Sequence, residues 1–204
     1  MTDLLIVAAT EAEVKELAKH TEYPENTPIL ITGVGMVNAV FSLMRYLQGH
    51  DIPKSIVNVG IAGSFNDNIG IGKVVQVVHD RFSEFGAEDH DKFLKADDMG
   101  LLHKNEIEFS TDERVDGLME VAGLTVNTVH GSENSISRAI SLFAPDVETM
   151  EGAACAFVAA KFSIPWVQIR AISNKVEPRN RDEWNIPLAI DNLAESVVSV
   201  LRKL

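Results

Sequence analysis

Cysteine is almost missing from this chain: its 204 residues include one, Cys155. A single thiol excludes an intrachain disulfide, and the neighbours Ala153, Ala154, Ala156, Phe157 and Val158 predict a small buried side chain. Cations are scarce too. Lys and Arg total 18 against 30 Asp and Glu, a formal net charge of −12. That balance excludes a general grip on phosphate backbones, which needs Lys and Arg to displace counterions, so no nucleic-acid partner is expected. No apolar run approaches the roughly 20 residues of a membrane span, so no membrane association is expected. Met1-Thr2-Asp3 is not the basic start of an export leader, and a reducing cytoplasmic setting is expected. The histidines at 20, 50, 79, 90, 103 and 130 never fall three or four residues apart, and no cysteine cluster joins them, so no metal site is predicted. Glu88-Asp89-His90-Asp91 reads as a solvated acidic loop. The GxSxG nucleophile elbow is missing as well.

What is present is an alternation of strand and helix. With 46% hydrophobic residues the chain can bury one sizeable core, and a single domain over 1–204 is expected. Leu4 to Ala9 is a continuous apolar run; behind Thr10, a candidate N-cap, Val14, Leu17 and Ala18 take helical spacing. Ile29 to Thr32 precedes a helix near Met36 to Leu47. Ser55 to Val59 enters Gly60-Ile61-Ala62-Gly63, read as a turn at the sheet edge where open α/β folds bind small molecules. Lys73 to Val78 is a β-branched strand, a helix is expected around Arg114 to Val121, and strands over Leu124 to His130 and Trp166 to Ile172. Leu193, Val197, Val200, Leu201 and Leu204 share one face of a closing helix. Periodicity fades between Arg81 and Glu108, which predicts a long irregular excursion. The fold class is α/β.

Gly33-Val34-Gly35-Met36-Val37-Asn38 follows a strand and opens a helix, as a dinucleotide-binding loop does. Asn38 stands where the third glycine belongs, and Val59-Gly60 replaces the acidic residue expected at the end of the next strand. The segment therefore reads as a tight turn that brings backbone close to a ligand, without NAD or FAD. Two further elements suggest a nucleoside. Met150-Glu151 opens a helix and can hold a ribose, while the strand ending at Arg170-Ala171-Ile172-Ser173-Asn174 presents a polar amide suited to a purine.

In chain order, Glu11-Ala12-Glu13-Val14, Gly33-Val34-Gly35, Asn58 to Gly63, Val147 to Ala153 and Arg170 to Asn174 resemble the purine nucleoside phosphorylase and nucleosidase superfamily. Within it the chain is similar to hydrolases related to 5′-methylthioadenosine/S-adenosylhomocysteine nucleosidase, and Ser173 to Pro187 looks most like the futalosine hydrolase family. The resemblance implies a single-domain three-layer α/β/α sandwich with a mixed central sheet. It also implies a small-molecule nucleoside substrate, no cofactor, and release of hypoxanthine from futalosine within an alternative route of menaquinone biosynthesis. A homo-oligomer, dimer or tetramer, is implied too, with a neighbouring subunit closing the pocket.

Carried over residue by residue, the resemblance makes Glu13 the group that orients and deprotonates an attacking water. Glu151 would accept hydrogen bonds from the ribose hydroxyls, Met150 would pack on the sugar face, and Ile61, Ala62 and Gly63 would line the substrate. Asn174 joins the catalytic set where adenine-specific relatives have aspartate. An amide can donate to the 6-carbonyl of hypoxanthine, which a carboxylate would repel, and so favours a 6-oxopurine. An amide cannot protonate the leaving base, so the N7 proton must come from water or another group. Lys175, Arg179 and Arg181 are candidates to grip the carboxylate at the far end of futalosine. Ala8-Ala9-Thr10-Glu11 offers no cation where phosphate-using relatives place arginine, which favours hydrolysis. A purine nucleoside phosphorylase, a 5′-methylthioadenosine/S-adenosylhomocysteine nucleosidase and a non-catalytic nucleoside-binding protein stay open as alternatives.

Overall fold

Alternate residues of the first strand, β1 (Leu4–Ala8), face two different cores, and this is why helices cover both sides of the sheet. Ile6 and Ala8 pack with Val14 and Leu17 of α1 (Glu11–Lys19) and with Leu193, Val197, Val200 and Leu201 of α5 (Ile186–Leu201). Leu5 and Val7 pack on the opposite side with Ala39, Leu43 and Leu47 of α2 (Met36–Gly49) and with the small residues of α4 (Gly152–Lys161). Cys155 is buried in this second core, and burial pushes its thiol up to about 12. The computed structural model describes residues 4–24 and 27–202. Leu204 and Met1-Thr2-Asp3 therefore lie outside the described residues. Among those described, no helix is long and apolar enough to cross a membrane.

The sheet is mixed. Strand β1 runs parallel to both β2 (Ile29–Ile31) and β3 (Ser55–Ser64), and β3 runs parallel to β10 (Trp166–Lys175). Beyond β10 come β4 (Val74–Arg81), antiparallel to it, and β8 (Met119–Thr125), parallel to β4. Strand β9 (Val147–Thr149) then joins β8 back to β3. Five strands thus close on one another, and Ala62, Val75, Val77, Val121, Val147 and Ile172 share a core of their own. An antiparallel hairpin, β5 (Gly86–Asp89) and β6 (Lys92–Lys95), stands apart from the sheet, and β7 (Glu108–Ser110) adds to β4. Helix α3 (Glu133–Phe143) packs Ala139 against Leu124 and Val126.

Several segments differ from the expected elements. The helix expected around Arg114 to Val121 is a turn through Gly117, at φ +88°, followed by β8. Val115, Leu118 and Val121 are three apart, but no helical stripe buries them: Val115 and Leu118 pack from the turn against the α1–α5 core, and Val121 is buried within β8. That strand ends at Thr125, so Val126 to His130 form a loop instead of continuing it. Gly60 to Gly63 are not a turn: they lie inside β3, which runs to Ser64. The irregular stretch from Arg81 to Glu108 contains the β5–β6 hairpin, and its acidic tip includes His90 at φ 55°. Helix α3, with Ser132 as N-cap accepting from the Ser135 amide, was not anticipated.

Candidate active site

A cavity of about 410 Å³ opens where α1, β3, β9, β10 and the loop before α5 converge, and its wall carries Glu13, Ile61, Ala62, Gly63, Met150, Glu151 and Asn174. Seven of the ten residues singled out from sequence therefore share one space. Lys175, Arg179 and Arg181 are not on its wall. Lys175 pairs with Asp67 at 2.6 Å, whereas Arg179 and Arg181 lie over the ring of Trp184, which does line the cavity. Among the described residues, no lysine or arginine lines the cavity.

Glu13 is held from three directions. It stands three residues after the N-cap Thr10, a spacing that lets its carboxylate turn back to the first turn's free amides. Its Oε2 accepts from the Thr10 amide at 2.9 Å and the Thr10 hydroxyl at 3.0 Å, and Oε1 accepts from the Ile61 amide at 3.2 Å. Glu151 is held from across the cavity: the Gly35 amide, at the N-terminus of α2, donates to its Oε1 at 2.7 Å. The glycine turn thus presents its backbone to a carboxylate of the chain itself, and Gly33 and Gly35 both adopt positive φ to do so. Burial raises the Glu151 carboxyl above its ordinary range; the Gly35 hydrogen bond and Arg170 oppose that shift, and nearby Glu13 adds to it.

Beneath these carboxylates the face of β10 turned toward α4 is polar. Val167, Ile169 and Ala171 face the α1–α5 core, while Gln168 and Arg170 point the other way and are fully or almost fully buried. Arg170 donates through Nη2 to Asn58 Oδ1. Its Nη1 and Glu13 Oε1 would lie 2.3 and 2.7 Å from a Cβ placed on Gly60, so only glycine fits there. Gln168 and Thr125 both donate to Asp80, at 3.0 Å each, and Thr125 also accepts from the Ala153 amide at 2.7 Å. A Cβ on Gly152 would lie 2.2 Å from Asp80 Oδ2, so glycine lets the start of α4 settle on this network. Glu151 is its N-cap residue.

The opposite end of the cavity is a rung across three strands. Asn174 of β10 and Glu148 of β9 are both paired with Gly63 of β3. A Cβ on Gly63 would lie 3.1 Å from Asn174 Nδ2 and 3.5 Å from Glu148 Cγ, so the glycine leaves a notch between an amide and a carboxyl group. Asn174 is fixed by its neighbours. The Ser173 hydroxyl donates to its Oδ1 at 2.8 Å, and its Nδ2 donates to the Lys175 carbonyl, also at 2.8 Å, which leaves one N–H and one lone pair for a ligand. Glu148 is buried and accepts from His130, Nδ1 to Oε2, at 2.6 Å.

Sequence reasoning assigned no role to Arg170, Glu148, His130 or Trp184. Arg170 carried a signal, a lone cation inside an apolar strand. Glu148 and His130 meet only through the pairing of β9 with β3 and the loop after β8, which no local pattern encodes.

Comparison with known proteins places the chain in a family. The profile of the Phosphorylase superfamily matches residues 3–202, and the chain belongs to that superfamily. A futalosine hydrolase of Streptomyces coelicolor is 30% identical over 189 residues, covering 85% of this chain and 78% of the relative. A 5′-methylthioadenosine/S-adenosylhomocysteine nucleosidase of Shewanella pealeana is 27% identical over 233 residues, covering 98% of each chain. Among solved structures, native futalosine hydrolase of Helicobacter pylori superimposes with a TM-score of 0.80 at 18% identity, covering 98% of this chain and 97% of that one. The last likeness bears on the mixed α/β fold.

Proposed function

We propose that this chain is a purine nucleoside N-ribohydrolase that cleaves futalosine to hypoxanthine and the free sugar. One observation carries the reading: Glu13, Glu151 and Asn174 line a single cavity whose wall, among the described residues, has no lysine or arginine. A phosphate dianion would meet carboxylates there, whereas water suits them. Glu13, fixed by Thr10 and Ile61, takes the proton of a water whose oxygen becomes acidic as it bonds to the developing ribosyl cation. Glu151 accepts the ribose hydroxyls, and the two carboxylates favour the cationic transition state over the neutral substrate. Met150 packs on the sugar. The free N–H of Asn174 donates to a 6-carbonyl, which selects a 6-oxopurine.

The substrate's distal carboxylate extends past Trp184, where Arg179 and Arg181 can meet it. Lys175, engaged by Asp67, has the weaker claim. The protein acts as a homo-oligomer. Helix α2 exposes Val37 (80%) and Phe41 (64%) beside an apolar cavity of about 910 Å³, and a second copy seated there removes that surface from water. In this reading the chain is one cytoplasmic domain serving menaquinone biosynthesis.

A second reading, a 5′-methylthioadenosine/S-adenosylhomocysteine nucleosidase, draws on the Shewanella relative's similar identity. Chromatography of the bases released from futalosine, inosine and 5′-methylthioadenosine, each with and without phosphate, separates the readings. Hypoxanthine from futalosine, independent of phosphate, is expected. Adenine from 5′-methylthioadenosine would favour the second reading, and a sugar 1-phosphate would make the enzyme a phosphorylase.

A further inference from the structure

Purines leave a sugar readily only when N7 gains a proton, and the amide of Asn174 has no acidic proton to give. The following inference rests on the nucleosidase reading and supplies that missing group. We propose that His130 protonates the departing purine, with Glu148 as the residue that positions its ring.

Both residues line the cavity that holds Glu13, Glu151 and Asn174. Glu148 sits on the same rung as Asn174, one on each side of Gly63, so a base reaching the amide also lies beside this carboxyl group. His130 is fixed there twice. Its backbone amide donates to Glu148 Oε1 at 3.1 Å, and its ring Nδ1 lies 2.6 Å from Oε2. Because a carboxylate only accepts, Nδ1 carries a hydrogen, and Nε2 is the nitrogen left to exchange a proton with a ligand. Nε2 has no protein partner among the described residues. The side chain is 16% exposed and its ring meets Phe65 edge-on at 5.9 Å, so it is packed in place at the cavity wall.

The proton account closes. The His130 imidazolium gives its Nε2 proton to purine N7 as the C1′–N9 pair withdraws into the base. The water oxygen bonds to C1′ and its proton passes to Glu13. After products leave, solvent returns a proton from Glu13 to His130. One water is consumed, and a neutral base and a free sugar are released. The histidine held by a buried carboxylate follows the same logic that orients a general base or acid in other enzymes.

The test compares the native protein with His130→Phe, His130→Gln and Glu148→Gln. Each is assayed on a 6-oxopurine nucleoside and on p-nitrophenyl β-D-ribofuranoside, whose leaving group departs without a proton. Both His130 variants should lose on the order of 10²–10⁴-fold in kcat on the nucleoside, the usual contribution of general acid catalysis, while retaining p-nitrophenol release. Glu148→Gln should fall between them and the native protein. Phenylalanine keeps the ring face and removes the nitrogens, so near-native nucleoside turnover by His130→Phe would reduce the residue to a stacking surface and overturn the proposal. Equal losses on both substrates would overturn it in favour of a structural role. If the native protein released no base from any nucleoside, the underlying nucleosidase reading would fail, a result distinct from either.

Discussion

At one end of the cavity Glu13 and Glu151 stand over Arg170, which is 2% exposed; at the other, Asn174 and the Glu148–His130 pair flank Gly63 on the rims of extended strands. The first end is rooted in the core. Its carboxylates depend on a buried cation and on the Asp80–Gln168–Thr125 network that also seats α4. The second end rests on local hydrogen bonds among Ser173, Asn174 and Lys175 and on one pair between β9 and the loop after β8. Ionic groups buried together are costly to separate, whereas an amide at a strand end can be exchanged with little effect on the fold. Rate and stability should therefore be coupled at the first end, and base selectivity should vary independently at the second.

The largest effect is expected at Glu13. Glu13→Gln should lower kcat by on the order of 10²–10⁴-fold, with KM nearly unchanged, since it removes the base and keeps the shape. Steady-state kinetics check this, and near-normal turnover would detach Glu13 from the water. Arg170→Met should cost about 3–5 kcal/mol in urea unfolding, because Asn58 and the neighbouring carboxylates lose a buried partner. A stable variant that lost only activity would break the claimed coupling.

The network beneath α4 should also leave a signature in pH. Burial raises Asp80 from 3.8 to about 6, against the opposing hydrogen bonds of Gln168 and Thr125. The unfolded chain sheds this proton near pH 4, while the folded chain holds it to about pH 6. The unfolded state thus binds fewer protons in that window, and Asp80 makes stability fall as pH rises through it, then level off. The drop is on the order of 3 kcal/mol. In Asp80→Asn the urea midpoint should lose this component between pH 4 and 6, relative to the native chain; parallel profiles would contradict it. Gln168 can accept from the new amide, because its Oε1 has no partner among the described residues.

The smallest effect is predicted at the other end. Asn174→Asp should leave the unfolding midpoint close to native and move selectivity from 6-oxopurine toward 6-aminopurine nucleosides by about 5–150-fold, the worth of one mispaired buried polar group. The ratio of kcat/KM for inosine-type and adenosine-type substrates reports it. An unchanged ratio would remove Asn174 as the base reader.

Much of the first end was legible in the sequence: the family resemblance singled out Glu13, Met150 and Glu151, and local patterns mark the elements that hold them. Thr10 followed three residues later by Glu13 marks a helix start, and Gly33 and Gly35 mark a turn that must bring backbone close to something, here Glu151. The apolar strands and α5 were legible from their periodicity. The closing of five strands was not, since it depends on β10 pairing with β3 and β4 at once. The same non-local pairing hid part of the second end: Asn174 and Gly63 were singled out, but Glu148 reads as one acid before a helix until β9 sets it beside Gly63. Gly60 and Gly63 were read as a turn where a small molecule binds, but they lie inside a strand, and what crowds them includes Arg170, Glu13 and Asn174. Arg114 to Val121 misled because residues three apart can be buried by a glycine turn leading into a strand as readily as by a helix.

Turnover of futalosine in phosphate buffer made with ¹⁸O-water tests the central claim most directly, with base and sugar read by mass spectrometry. The account predicts hypoxanthine and a free sugar bearing one ¹⁸O at C1′. A sugar 1-phosphate without the label, or futalosine left intact while 5′-methylthioadenosine is cleaved, would contradict it.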